Sequence, residues 1–297
     1  MFALLGEILD AMSLPDPTAI GLSGLRVATF EARMTGSMAA LIRKQGGEPV
    51  EAPALREVPI GDNPAALAFA DALIAGEFDL VIFLTGVGTR YLAREIETKY
   101  PREQWVEALN RAKVAIRGPK PVAPLRELGA RIDLQAPEPN TWRDLLTALD
   151  ANIPVKGLRV AVQEYGQPAP ELIRGLEDRG ATVTCVPVYG WALPEDTGPL
   201  IQAIGEIAEG RIGAVAFTSA QQVVHLLQVA KEQGREAELR EALARSVVVA
   251  SVGPTTTEAL KAHGLPVDIE PEHPKMGHLV VALANGWRGV GKARLPA

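Results

Sequence analysis

Cysteine is almost absent from this 297-residue chain: Cys185 stands alone. That excludes an intramolecular disulfide, leaves no basis for a cysteine-held metal cluster, and fits a reducing compartment such as the cytoplasm. No uninterrupted apolar run approaches the roughly 20 residues of a membrane span, so the chain reads as soluble, with no membrane partner. Runs of five or more like charges are also missing, and the net charge is −6. Nothing in that field favours nucleic acid, and an anionic ligand has to be met by local cations. Residues 1–14, MFALLGEILDAMSL, lack the basic stretch and cleavage pattern of a secretory signal and read as an amphipathic helix. His225, His263, His273 and His278 share no metal-ligand spacing, so no metal is expected. A Walker A motif and a GxGxxG after the first apolar run are both lacking; GVGTR at 86–90 is a fragment.

What is present is an ordinary globular balance, with 47% hydrophobic and 22% charged residues. The length suits two domains of roughly 130 to 150 residues each. Comparing the chain with itself shows why. GLRVATF at 24–30 recurs as GLRVAVQ at 157–163, and DLVIFLT at 79–85 recurs as GAVAFTS at 213–219. KVAIRGPKPVAPLRELG at 113–129 recurs as VVASVGPTTTEALKAHG at 248–264, and RIDLQAPEPNTWRDLLTAL at 131–149 recurs as PVDIEPEHPKMGHLVVAL at 266–283. The offsets are 133, 134 and 135 residues for the first three pairs and 135 falling to 134 along the fourth, the mark of one architecture used twice.

Each repeat alternates a short β-branched apolar run, a polar or Gly-Pro turn, and a segment with apolar residues at helical spacing. Met38, Leu41 and Ile42 share a helix face before Gly46-Gly47, as do Leu172, Ile173 and Leu176 before Gly180. Alternating strands and helices predict an α/β fold with parallel, doubly wound sheets. After each of these helices comes a Pro-bearing β segment, EPVEAPALREVPI or ATVTCVPVYGWALP, placed to act as a connector.

VAVQ…LEDRGATVTCVPVYGWALP, AVAFTSAQQVVHLL and VVVASVGPTTTEALKAHGLPVDIEPEHP resemble the second half of uroporphyrinogen-III synthases, and the likeness spans roughly residues 22 to 285. The resemblance implies two flavodoxin-like parallel-sheet domains, an internal duplication, joined by a two-stranded antiparallel linker. Transferred here, residues 1–48 with 192–297 form the first domain and 56–183 the second, with linker strands at 49–55 and 184–191. The activity it implies is that of a hydro-lyase of tetrapyrrole (haem) biosynthesis, acting without a cofactor and expected as a monomer. Hydroxymethylbilane, a linear tetrapyrrole, loses its hydroxyl as water, ring D is inverted, and the macrocycle closes to uroporphyrinogen III.

The family pattern places Tyr189 where its phenol can protonate the departing hydroxyl; otherwise it is an aromatic packed on a strand beside Trp191. Thr255 and Thr256 follow Gly253-Pro254 at the start of a helix, and match threonines that the family places at substrate carboxylates. Helix capping alone would also explain a threonine there. The first-half counterpart, Gly118-Pro119-Lys120-Pro121, offers fewer hydroxyls and one N–H fewer, with Lys120 supplying charge. Ser219 matches a family serine and opens a helix, for which capping is again sufficient. In the first half the stretch reads Leu84-Thr85-Gly86, where the resemblance implies substrate contacts from Thr85 and Gly86; Gly86 stands where the family pattern has serine, giving backbone approach but no hydroxyl. Arg33 matches a basic position after the first strand; Arg90 and Arg117 are weaker candidates, since a lone arginine is usually a solvated charge.

Two other classes fit part of the pattern. One is a non-catalytic tetrapyrrole sensor, with GWRGVGKARLPA at 286–297 as the stub of a linker to another module. The other is a two-lobed small-ligand-binding protein, which fold class alone does not exclude.

Overall fold

The computed structural model describes residues 21–164, 166 and 168–292. Residues 1–14, expected as a helix, and residues 293–297 lie outside the described residues. The strands are β1 (Arg26–Thr29), β2 (Glu48–Glu51), β3 (Arg56–Pro59), β4 (Leu80–Phe83), β5 (Lys113–Ile116), β6 (Leu134–Gln135), β7 (Arg159–Gln163), β8 (Thr182–Val186), β9 (Tyr189–Ala192), β10 (Ala214–Phe217) and β11 (Val248–Ser251). One sheet has the order β11-β10-β1-β2 and another β6-β5-β4-β7-β8, and every pairing in both is parallel. A bridge from Ala250 to Ile269 extends the first sheet beyond β11.

The repeat explains this pair of orders. Strands β7, β8, β10 and β11 follow β1, β2, β4 and β5 by 133 to 135 residues. Replacing each strand by its repeat counterpart turns one sheet order into the other. The first sheet therefore combines two strands from each repeat, with the Ile269 bridge beside them, and the second combines β7 and β8 with three strands of the first repeat. Correspondingly, the described residues up to 54 with those from 195 onward form one compact unit, and 55–194 form a second.

Strand side chains alternate between two covered faces, as a parallel sheet requires. In the second sheet Val81, Phe83, Val114 and Ile116 join Phe69, Leu73, Leu92, Trp105 and Leu109 on one side. Leu80, Ile82, Val160 and Val162 join Leu145, Leu149, Leu172 and Leu176 on the other. Each such fully buried side chain contributes about 1.5–3 kcal/mol relative to exposure. No helix of the described residues is long and apolar enough to cross a membrane.

The antiparallel pair lies within the two Pro-bearing segments but is shifted further along the chain than the expected bounds 49–55 and 184–191. β3 pairs with β9, with Pro59 opposite Tyr189 and Glu57 opposite Trp191. The segment expected as the first linker strand, 49–55, instead begins as the parallel edge β2 beside β1, its pairing continued by Ala52 N–H to Thr29 O at 2.9 Å and Ala54 N–H to Phe30 O at 3.2 Å. Residues 184–186 of the expected second linker strand are likewise claimed by β8, the parallel edge beside β7, whereas 189–191 do lie in the antiparallel strand β9. The physical reason is that each segment meets an unpaired strand edge immediately after its helix, and satisfying those backbone groups precedes any crossing. Proline is tolerated at Pro49 because β2 is an edge.

Residues 286–292, read above as the start of a linker, belong to the first unit. Trp287 is buried and its indole N–H donates to Gly21 O at 3.0 Å, while Lys292 Nζ donates to Leu243 O at 2.7 Å and Val247 O at 2.9 Å.

Candidate functional site

In the second unit the loops after β4, β5 and β7 meet the start of β9. Thr85 caps the helix Gly86–Ile96: its Oγ1 accepts from Gly88 N–H at 3.0 Å, and its extended backbone begins the helix. Such a cap is worth about 1 kcal/mol. The same Oγ1 lies 3.3 Å from the Tyr189 hydroxyl. Tyr189 is only 4% exposed, and its ring packs in the core with Tyr91 at 5.8 Å and Trp191 at 6.2 Å between centroids. The ring is thus packed in the core, and the phenol oxygen reaches a helix start.

Gln163, at the end of β7, accepts from Thr85 N–H at 3.4 Å through Oε1 and donates to the Glu164 carbonyl. Gly88 permits this, because a Cβ there would come within 2.0 Å of Gln163 Nε2. Gly86 is equally constrained: a Cβ would lie 2.4 Å from the Lys120 carbonyl oxygen. The turn Gly118–Pro121 therefore sits against the first residue of the helix. Lys120 itself is exposed.

The first unit carries the counterpart cluster. Ser219 occupies the N-cap of the helix Ala220–Glu232, where Gln222 accepts from Thr218 N–H at 2.7 Å and from Ser219 N–H at 3.2 Å. Ser219 Oγ is buried and makes no hydrogen bond of full geometry among the described residues. Thr218 donates to the Glu31 carboxylate at 2.6 Å. By position on the helix, the equivalent of Ser219 is Thr85, so the hydroxyl expected to be lost at Gly86 is present one residue earlier.

The turn after β11 opens the helix Pro254–Ala262. Thr255 is exposed on it, whereas Thr256 is buried at 3%. Thr257 hydrogen-bonds Ser251 Oγ at 2.9 Å and the Glu270 carboxylate, which anchors the turn from beneath. Arg33 is exposed in the turn after β1, where Thr35 Oγ1 donates to Glu31 O at 2.6 Å. Thr85, Gly86 and Tyr189 are thus gathered in one unit, with Lys120 held beside Gly86 through its backbone. Arg33, Ser219, Thr255 and Thr256 fall in the other. Arg90 is engaged by Glu127 in a two-pronged pair on the surface.

Gln163, Glu31 and Glu270 escaped the sequence reading. Gln163 left one signal, a polar residue ending the buried run RVAVQ; for the two glutamates no local pattern exists. Glu164 was also missed. Burial pushes its carboxyl above the usual range, partly offset by hydrogen bonds to Cys185 and Ala169 N–H. Although Cys185 is exposed, desolvation of its sulfur and the neighbouring Glu164 carboxylate push the thiol up to about 11, so it stays protonated at neutral pH. Among the histidines, His273 and His278 meet edge to face at 5.2 Å.

Known proteins share this arrangement of sequence and fold. The sequence model described as "Uroporphyrinogen-III synthase HemD" matches residues 36–281. An uncharacterised protein of Bacillus subtilis is 33% identical over 268 residues, covering 89% of this chain and 97% of the relative. A putative uroporphyrinogen-III synthase of Methanothermobacter thermautotrophicus is 35% identical over 213 residues, covering 71% of this chain and 79% of its own length. A crystal structure of a mutant uroporphyrinogen III synthase from Thermus thermophilus superimposes with a TM-score of 0.68 at 28% identity, covering 90% of this chain and all of that one. With most of its length matched in sequence and fold, the chain belongs to the uroporphyrinogen-III synthase family.

Proposed function

We propose that this protein is a uroporphyrinogen-III synthase, a hydro-lyase that converts hydroxymethylbilane to uroporphyrinogen III with inversion of ring D. Beyond family membership, the supporting observation is the Tyr189 hydroxyl held 3.3 Å from Thr85 Oγ1 at a helix N-terminus. In this reading Tyr189 is the catalytic acid. Its proton passes to the departing hydroxyl oxygen, the C–O bond electrons leave with that oxygen as water, and an azafulvene cation remains. Ring closure later releases a proton from carbon, which restores the phenol.

The substrate carries eight carboxylates, and the chain's net charge of −6 makes local donors necessary. Thr255 and the first-turn N–H groups beside it, the Gly86 backbone, and the exposed Arg33 and Lys120 are assigned to those carboxylates, as are the buried Thr256 next to Thr255 and Ser219 at the start of the helix Ala220–Glu232.

The test is incubation with hydroxymethylbilane followed by isomer analysis of the oxidised porphyrin. Type III product is expected; type I alone, the outcome of uncatalysed closure, rejects the assignment. Tyr189→Phe is expected to lower kcat by ~10²-fold or more, the scale of a lost general acid. Type III formation at the unaltered rate removes Tyr189 from the chemistry.

A further inference from the structure

Loss of the Tyr189 proton would leave a phenolate in a site where the side chain is 4% exposed, so bulk water cannot solvate it well. We propose that Thr85 is a positioning residue that stabilises this phenolate, its hydroxyl donating a hydrogen bond to the phenol oxygen once Tyr189 has protonated the leaving group. The inference rests on the reading of Tyr189 as the acid.

Three observations carry it. The Thr85 hydroxyl is the group 3.3 Å from the phenol oxygen, and it already accepts Gly88 N–H at 3.0 Å. Accepting from one donor polarises the O–H and strengthens it as a donor in turn. Second, Thr85 begins an 11-residue helix, whose positive end favours negative charge nearby. Third, the phenol ring is held against Gly166, where a Cβ would come within 2.9 Å of both the Tyr189 and the Trp191 rings. Ring and hydroxyl are thus set by packing, and charge stabilisation needs little rearrangement. The matching cap in the other unit, Ser219, has no such phenol partner among the described residues. The O···O distance is longer than a strong bond, and catalytic hydrogen bonds commonly tighten in the complex with substrate.

Thr85→Val is expected to raise the midpoint of Tyr189 ionisation by about one pH unit or more, the scale of one hydrogen bond to a charged group. The readout is tyrosinate absorbance in the full chain, with Tyr189→Phe in each background subtracted to isolate this phenol from the other tyrosines. Turnover of hydroxymethylbilane by T85V is expected to fall about ten-fold in kcat with KM unchanged. Thr85→Ser, which keeps cap and hydroxyl, restores both. Thr141→Ala removes another side-chain N-cap of the same unit and controls for lost stability; it leaves the midpoint in place. An unshifted midpoint in T85V, an equal shift in T141A, or a loss confined to KM overturns the role given to Thr85. If the parent yields only type I product while the T85V midpoint still rises, the functional assignment falls and the Thr85–Tyr189 coupling stands.

Discussion

Replacing Gly86 with alanine adds a single carbon at the tightest backbone approach of the candidate site. The new Cβ would lie 2.4 Å from the Lys120 carbonyl oxygen and 3.1 Å from its carbon. Ordinary carbon–oxygen contacts are about 3.3–3.6 Å, so one side must give way by about 1 Å. Neither side is a flexible side-chain end. The Lys120 carbonyl lies between Pro119 and Pro121, whose rings fix φ, and the turn is tied by Val122 N–H to Pro119 O at 3.1 Å and Leu125 N–H to Pro121 O at 3.0 Å. Such overpacking costs about 1–3 kcal/mol, against which alanine regains about 0.5–1 kcal/mol of helix preference. The net expectation is a loss of up to about 2.5 kcal/mol. Gly36 supplies the control. It sits in the helix Thr35–Lys44 with nothing within 4 Å of its ideal Cβ, so Gly36→Ala is expected to gain up to about 0.5–1 kcal/mol. Urea unfolding followed by tryptophan fluorescence is suited to the comparison, since Trp105, Trp142 and Trp191 all report on the unit that contains Gly86. A Gly86→Ala protein as stable as its parent, or shifted like Gly36→Ala, refutes the packing argument.

Two further outcomes follow from burial. Glu164→Gln is expected to stabilise the protein at neutral pH, because burial raises the folded-state pKa of the carboxyl. That penalty is absent below the unfolded-state pKa and complete above the folded one, so the gain should shrink as urea midpoints are measured at lower pH; a gain that grows toward acid contradicts the assigned shift. Leu149, fully buried between its helix and the second sheet, should lose about 2–5 kcal/mol on replacement by alanine. A loss under 1 kcal/mol in denaturant melts shows that this face repacks.

Much of the site's scaffold was legible because caps and turns are local. Thr85 and Ser219 stand at the junction of an apolar run and a helical pattern, where an N-cap oxygen is wanted. Their partners were not. Glu31 reaches Thr218 across 187 positions of the chain and Thr85 reaches Tyr189 across 104. Hydrogen bonds at such separations leave no periodic trace. The expected deficit at Gly86 arose from the family motif; the 134-residue repeat offset pairs Thr85 with Ser219, and both stand at the N-cap of their helix.

The near-constant offset of 133 to 135 residues established, from sequence alone, that two alike sets of strands and helices exist. It did not determine how they combine. Strands β4, β5 and β6 carry the same pattern as β10, β11 and the Ile269 segment, so either set suits a sheet begun by β1–β2 or by β7–β8. Resemblance to a family pointed to a discontinuous arrangement, but hydrophobic alternation is indifferent to it, because a parallel strand satisfies its backbone against any neighbour of matching pleat. Only the tertiary structure decided that β1 pairs with β10 and β4 with β7, each sheet drawing on both halves of the chain.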